Sequence, residues 1–129
     1  MKKTDVLIIG GSATGFVAAM TAKSNYPDKN VTIIRKEEKV MIPCGIHYIF
    51  STVGDSNYNI LPDEGLIKLG IDIIVDEVIN VDIKAKKCNT KNGEELIYDK
   101  LIIGTGSIPA VPEWLKGTDL ENFKINLNK

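Results

Sequence analysis

The chain has 129 residues, a length suited to one domain, and 43% of them are hydrophobic, enough for a core that hides roughly two thirds of the unfolded surface. Its 16 basic and 17 acidic side chains leave a net charge of -1 with no block of five like charges, so no nucleic-acid partner is expected. The two cysteines, Cys44 and Cys88, show neither CxxC spacing nor paired histidines, which argues against a zinc site or a secreted disulfide framework and leaves at least one thiol free.

The N-terminus reads Met1, Lys2, Lys3, and the apolar run Val6 to Ile9 is too short for a signal-peptide core or a membrane span. We expect a cytoplasmic protein without a membrane partner. That run predicts a first strand, the glycines after it a tight turn, and the alanine-rich stretch from about Thr14 a helix. After the breaker "NYPDKN", the β-branched "VTIIR" predicts a second strand parallel to the first, completing a βαβ unit. Right-handed crossover geometry sets the helix N-terminus at the carboxyl ends of both strands, where a ligand crevice is expected.

The chain then loosens. A short helix is expected from Cys44 to Ser51, then the polar loop "TVGDSNYN" and a helical turn within "PDEGLIKLG". Residues 71 to 106 hold several short β-like runs and read as an antiparallel meander, with Asn92-Gly93 as a hairpin between "KKCNT" and "ELIYD". "LIIG", residues 101 to 104, should return to the parallel sheet beside the first strand, and "SIPAVPEWLKG" is a proline-rich loop.

Residues 10 to 15 read Gly-Gly-Ser-Ala-Thr-Gly, the dinucleotide-binding pattern G-x-G-x-x-G with Ser12 in place of the middle glycine. Gly10 would permit the turn and Gly15 the close helix-strand approach, while the amides of residues 12 to 14 would face a pyrophosphate. The plainer reading is a tight turn without a ligand. At the end of the second strand, where a ribose-binding acid normally stands, the chain has Arg35, Lys36, Glu37 and Glu38. Either Glu37 reaches the ribose, or Arg35 and Lys36 contact it or the phosphates, or the turn is a solvated charged one. Cys44, taken alone, fits burial as a small hydrophobe; Cys88, in a meander strand with no helix terminus nearby, reads as structural.

Four separated stretches, "VLIIGGSATG", "IPCGIHY", "EVINVDIKAKKCNTKNGEELIYDKL" and "YDKLIIGTGSIPAVP", with "GTDLENF" after them, resemble the FAD-dependent pyridine nucleotide-disulfide oxidoreductases. Within them the chain is most similar to the single-cysteine branch of coenzyme A-disulfide reductases, NADH oxidases and persulfide reductases. The resemblance implies an α/β fold, a Rossmann-like FAD/NAD(P)-binding domain with a parallel sheet and an antiparallel β-meander, of which residues 1-129 would be the N-terminal FAD-binding segment. It also implies that Gly10, Gly11, Ser12, Ala13, Thr14 and Gly15 hold the FAD pyrophosphate, Arg35 and Lys36 lie near the adenosine ribose, and Val78 meets the adenine through its backbone. Thr105, Gly106 and Ser107 would pack on the cofactor from the closing turn, and Pro43 would flank the redox-active Cys44. The chain departs from the family pattern at Ser12 for glycine, Arg35 for the acid, His47 for proline and Gly104 for alanine.

Two-cysteine members use Cys-x4-Cys, but the residue five positions after Cys44 is Ile49, so the resemblance implies one thiol that alternates between thiolate and a mixed disulfide, sulfenic acid or persulfide. A disulfide, peroxide, oxygen or persulfide would be the substrate and NAD(P)H the hydride donor. No second glycine-rich βαβ unit for nicotinamide occurs, so these residues alone are expected to be inactive; a homodimer or a complementing segment stays open as a partner. The alternative is a stand-alone or split-subunit module that binds an adenine nucleotide without catalysis.

Overall fold

The computed structural model describes residues 1–107, 110 and 112–115. Strand β1 (Lys2–Ile9) leads through the glycine turn into helix α1 (Ala13–Asn25) and back into β2 (Val31–Arg35), which runs parallel to β1 with Ile8 opposite Ile33. All five residues of β2 are buried, as a strand covered on both faces requires. On α1, Gly15 and Ala19 face the sheet, and such small side chains let the helix axis come close.

The predicted short helix is present and longer: a 3₁₀ turn (Pro43–Gly45), one turn of α2 (Ile46–Tyr48) and a wider π turn (Ile49–Val53) form a continuous coil, and none of its residues is buried. A second 3₁₀ turn (Ser56–Asn59) precedes α3 (Glu64–Lys68), whose Leu66 enters the core. Strands β3 (Asp72–Val75), β4 (Val78–Asp82), β5 (Lys87–Thr90) and β6 (Glu95–Ile103) complete one six-stranded sheet in the order β3-β2-β1-β6-β5-β4.

Two details differ from the sequence reading. The first β-like run of the meander region is β3, and it pairs parallel to β2 instead of joining the antiparallel set. Its Ile73 and Ile74 sit on opposite faces, so each adds to a different core layer, which periodicity within four residues cannot reveal. Strand β1 also begins earlier, because Lys2, Lys3 and Thr4 pair with Leu96, Ile97 and Tyr98 of β6. The antiparallel set is therefore β4, β5 and the first part of β6; the hairpin falls at Asn92-Gly93, with Gly93 at φ 89°. The second part of β6 lies parallel to β1, Leu101 opposite Leu7, where "LIIG" was expected. Leu115 ends a short 3₁₀ turn (Glu113–Leu115), and "GTDLENF" lies outside the described residues.

Alternation along β1 divides the core. Ile8 joins Ala19, Val31, Ile33, Leu66 and Ile71 beneath α1 and α3, while Leu7 and Ile9 face Ile34, Cys88, Leu96 and Tyr98 on the other side. Leu96 is fully buried where the meander folds onto that second layer. Leu96→Ala should lower the unfolding free energy by about 2–5 kcal/mol through lost burial and a residual cavity, read from urea denaturation followed by circular dichroism.

Candidate functional site

The carboxyl ends of β3, β2, β1 and β6 lie side by side, joined by the Asp76 amide to the Arg35 carbonyl (2.8 Å), Gly10 amide to Ile34 carbonyl (2.8 Å) and Gly104 amide to Ile9 carbonyl (2.8 Å). At this edge the glycine turn does steric work. Gly10 adopts φ +105°, and a Cβ there would strike the Gly104 carbonyl and approach the Thr105 amide nitrogen at 3.0 Å. A Cβ on Gly15 would strike the Gly10 carbonyl. Thus Gly10, Gly15 and Gly104 make a three-way backbone contact that brings the closing turn Thr105, Gly106 and Ser107, all exposed, against the start of α1.

Ser12 is the N-cap of α1 in extended conformation (φ -75°, ψ -168°), but its side chain caps nothing, and the first turn carries no acidic residue. The first helical bond runs from the Phe16 amide to the Ser12 carbonyl (2.9 Å), so the amides of Ala13, Thr14 and Gly15 precede it. With Ala13 and Thr14 exposed, this end of the helix presents donors and positive potential to the crevice.

Gly11 has a separate reason to be glycine. A Cβ there would lie 2.6 Å from Arg35 Cδ and 2.8 Å from its Cβ, so the aliphatic stem of Arg35 rests on the turn. The Arg35 side chain is 3% exposed and donates twice to Asp63, Nη1 to Oδ1 at 2.7 Å and Nη2 to Oδ2 at 2.6 Å, while Nη2 also donates to the Glu38 carbonyl at 2.6 Å. Its Nε is the one buried side-chain nitrogen or oxygen among the described residues without a partner. Lys36 reaches Glu77 at 2.7 Å, which ties the end of β2 to the turn before Val78, the first residue of β4. Arg35, Lys36 and Val78 therefore share one edge, while Glu37 and Glu38 are exposed beside it.

Cys44 and Pro43 are exposed and stand on the coil that leaves this edge. His47 is exposed and its ring lies 4.0 Å, centroid to centroid, from that of Tyr48. Cys88 is the opposite case, fully buried, with burial pushing its thiol pKa up. Sequence reasoning missed two residues. Asp63 had no signal beyond standing before a helical turn, and Asn59, buried beneath the Cys44 coil, had none at all.

Residues 4–128 match the family model described as pyridine nucleotide-disulphide oxidoreductase. The chain belongs to this family. It is 33% identical to an NADH oxidase of Methanocaldococcus jannaschii over 92% of its own length and 29% of that protein's. It is 35% identical to an NAD(P)H sulfur oxidoreductase (CoA-dependent) of Pyrococcus abyssi, over 94% of this chain and 28% of that one. Among solved structures, the water-forming NADH oxidase of Lactobacillus brevis bound to NADH superposes with a TM-score of 0.74 at 27% identity, covering 85% of this chain and 26% of that one. A NAD-dependent persulfide reductase from A. fulgidus shares the fold with a TM-score of 0.77 at 23% identity, covering 95% and 27%. The chain therefore spans under a third of the length of these relatives.

The Arg35 hydrogen bonds hold the Asp63 carboxyl below its usual range. A carboxyl depressed on folding adds stability that is complete at neutral pH and is lost as pH falls through its folded pKa, below about pH 4. Asp63→Asn should flatten that acid-side loss. Asp63→Ala should cost about 2–4 kcal/mol at pH 7 by leaving the buried guanidinium unpaired, somewhat less than for a fully buried pair because the carboxylate is 31% exposed. Urea titrations of both variants at pH 7 and pH 3 check the sign.

Proposed function

We propose that these residues form the FAD-binding part of an NAD(P)H-dependent flavin oxidoreductase that reduces a disulfide, persulfide, peroxide or oxygen through Cys44. The observation that carries this reading is the backbone-lined seat at the strand ends, where three glycines touch and the helix offers uncommitted first-turn amides. The glycine contacts draw the start of α1 close against the strand ends, which leaves its free main-chain donors beside that edge. The names of the relatives, NADH oxidase and NAD(P)H sulfur oxidoreductase, support the same class of chemistry.

Gly10 and Gly15 let the helix start pack against the strand ends, and the amides of Ser12, Ala13 and Thr14 would hold the pyrophosphate. Gly11 admits the Arg35 stem, Lys36 and the Val78 backbone would lie near the adenosine, and Thr105, Gly106 and Ser107 would pack on the cofactor from the closing turn. Bound FAD would supply the two-electron link between a nicotinamide nucleotide and sulfur. Pro43 opens the coil with its fixed φ, and the exposed Cys44 thiolate attacks one sulfur of a substrate disulfide, forming a mixed disulfide and expelling the other sulfur as thiolate. A reducing cytoplasmic setting suits an exposed free thiol. The nicotinamide site and any dimer interface are proposed to lie in protein beyond these residues.

Ser12→Asp separates folding from binding. An aspartate is a better N-cap than an unused serine and should keep or raise the melting temperature, yet its charge opposes a pyrophosphate at the same amides. We expect at least a tenfold weaker FAD affinity by flavin fluorescence titration; unchanged affinity would remove the pyrophosphate from this seat. The 129 residues with added FAD should also show no NADH consumption at 340 nm above the free-flavin rate. Binding of ADP without flavin would instead favour the non-catalytic nucleotide module.

A further inference from the structure

We propose that Asn59 is the positioning residue of the Cys44 turn, a role that rests on the reading of Cys44 as the reacting thiol. The turn is closed by the Gly45 amide donating to the Ile42 carbonyl at 3.0 Å, with Pro43 and Cys44 inside it. Pro43 has no N–H, and the next backbone bond, from the Ile46 amide to the Pro43 carbonyl, stays within the coil and ties it to nothing outside. Asn59 supplies the rest. Its Nδ2 donates to the same Ile42 carbonyl at 2.9 Å, and its own carbonyl accepts from the Ile42 amide at 2.9 Å. A carbonyl oxygen only accepts, so the amide nitrogen is the end that faces Ile42 and Oδ1 faces the other way.

That Oδ1 occupies the space a Cβ on Gly45 would need. Gly45 itself adopts φ -91° and ψ -10°, a conformation open to every L-residue, so Asn59 is the reason this position is glycine. The residues on both sides of the Pro43-Cys44 pair are thus gripped by one side chain that is 5% exposed, while the thiol they carry is exposed. The grip is anchored in turn, because the Leu61 amide donates to the Val40 carbonyl at 2.8 Å and Met41 bridges to Ile60. No residue of the coil Pro43–Val53 is itself buried, so loss of Asn59 should free the cysteine without unfolding the sheet.

The test is alkylation of the 129-residue chain by iodoacetamide at pH 7, with Cys44 and Cys88 quantified separately by peptide mass spectrometry. The synthetic peptide of residues 40–50 gives the rate of the same thiol unheld. Wild-type Cys44 should react at least fivefold faster than the peptide, and Asn59→Ser should lose at least threefold of that advantage with Cys88 still protected. Gly45→Ala should produce a similar loss, because its Cβ displaces the amide. In the Asn59→Ser background Gly45→Ala should add nothing further, because the obstructing atom is gone.

A wild-type rate in Asn59→Ser or in Gly45→Ala overturns the role of Asn59 and leaves the reading of Cys44 intact. A wild-type Cys44 no faster than the peptide overturns the reading of Cys44 and this inference with it. Exposure of Cys88 in step with the loss at Cys44 would mean general unfolding and would also overturn the positioning role.

Discussion

The backbone contact among Gly10, Gly15 and Gly104 is the constraint from which the rest of the functional edge follows. Helix α1 can press its first turn onto the Gly10 carbonyl only because Gly15 lacks a Cβ, and Gly10 can meet the strand beyond β1 only because it lacks one too. The closeness has two effects. It seats the small face of α1, Gly15 and Ala19, against the layer formed by Ile8, Val31 and Ile33. It also fixes the helix axis so that the unbonded first-turn amides open at the strand ends and not into solvent elsewhere. The packing of α1 and the direction of its free amides are set by the same two missing side chains, those of Gly10 and Gly15.

Arg35 shows how a charged residue can stand where a fold of this kind usually places an acid. Both terminal guanidinium nitrogens are paired, with Asp63 and the Glu38 carbonyl, only Nε lacking a partner, and the stem packs against Gly11, so the residue supports the glycine turn. The pair joins residues 28 positions apart, and the segment between them runs out from the sheet, carries Cys44 and returns. Since the coil Pro43–Val53 buries nothing, that segment is held chiefly at its base, by Arg35 to Asp63 and by the pairing of residues 40–42 with 59–61. Stability is therefore unevenly distributed, high in the sheet and lower in the arm that bears the thiol.

How much of this could be read from the sequence depended on the range of the interaction. The strand, glycine turn and helix at residues 6–25 and the Asn92-Gly93 hairpin declare themselves locally, because steric demands of a few consecutive residues select glycine, alanine or β-branched side chains there. The family resemblance, borne by four stretches together, carried the cofactor class further than any one of them. What stayed hidden was set across the sheet. Lys2 and Lys3 look like a polar tail until β6 pairs with them, and Asp72–Val75 looks like another meander strand until β2 claims it. Asn59 and Asp63 were invisible for the same reason: each acts on a partner 17 or 28 residues away, and a single polar side chain has no period.

The two cysteines show why environment, not residue type, decides reactivity. Cys88 is enclosed by Leu7, Leu96 and Tyr98 in the second core layer, where burial disfavours the thiolate that exchange and oxidation require. An oxidant or disulfide in solution therefore meets Cys44 alone. With the other thiol withheld in the core, Cys44 has no accessible thiol among the described residues with which to form a disulfide. The fold hides one cysteine in the second core layer and carries the other, exposed, on a coil whose first turn Asn59 contacts, so thiol reactivity from solution falls on a single side chain of the two.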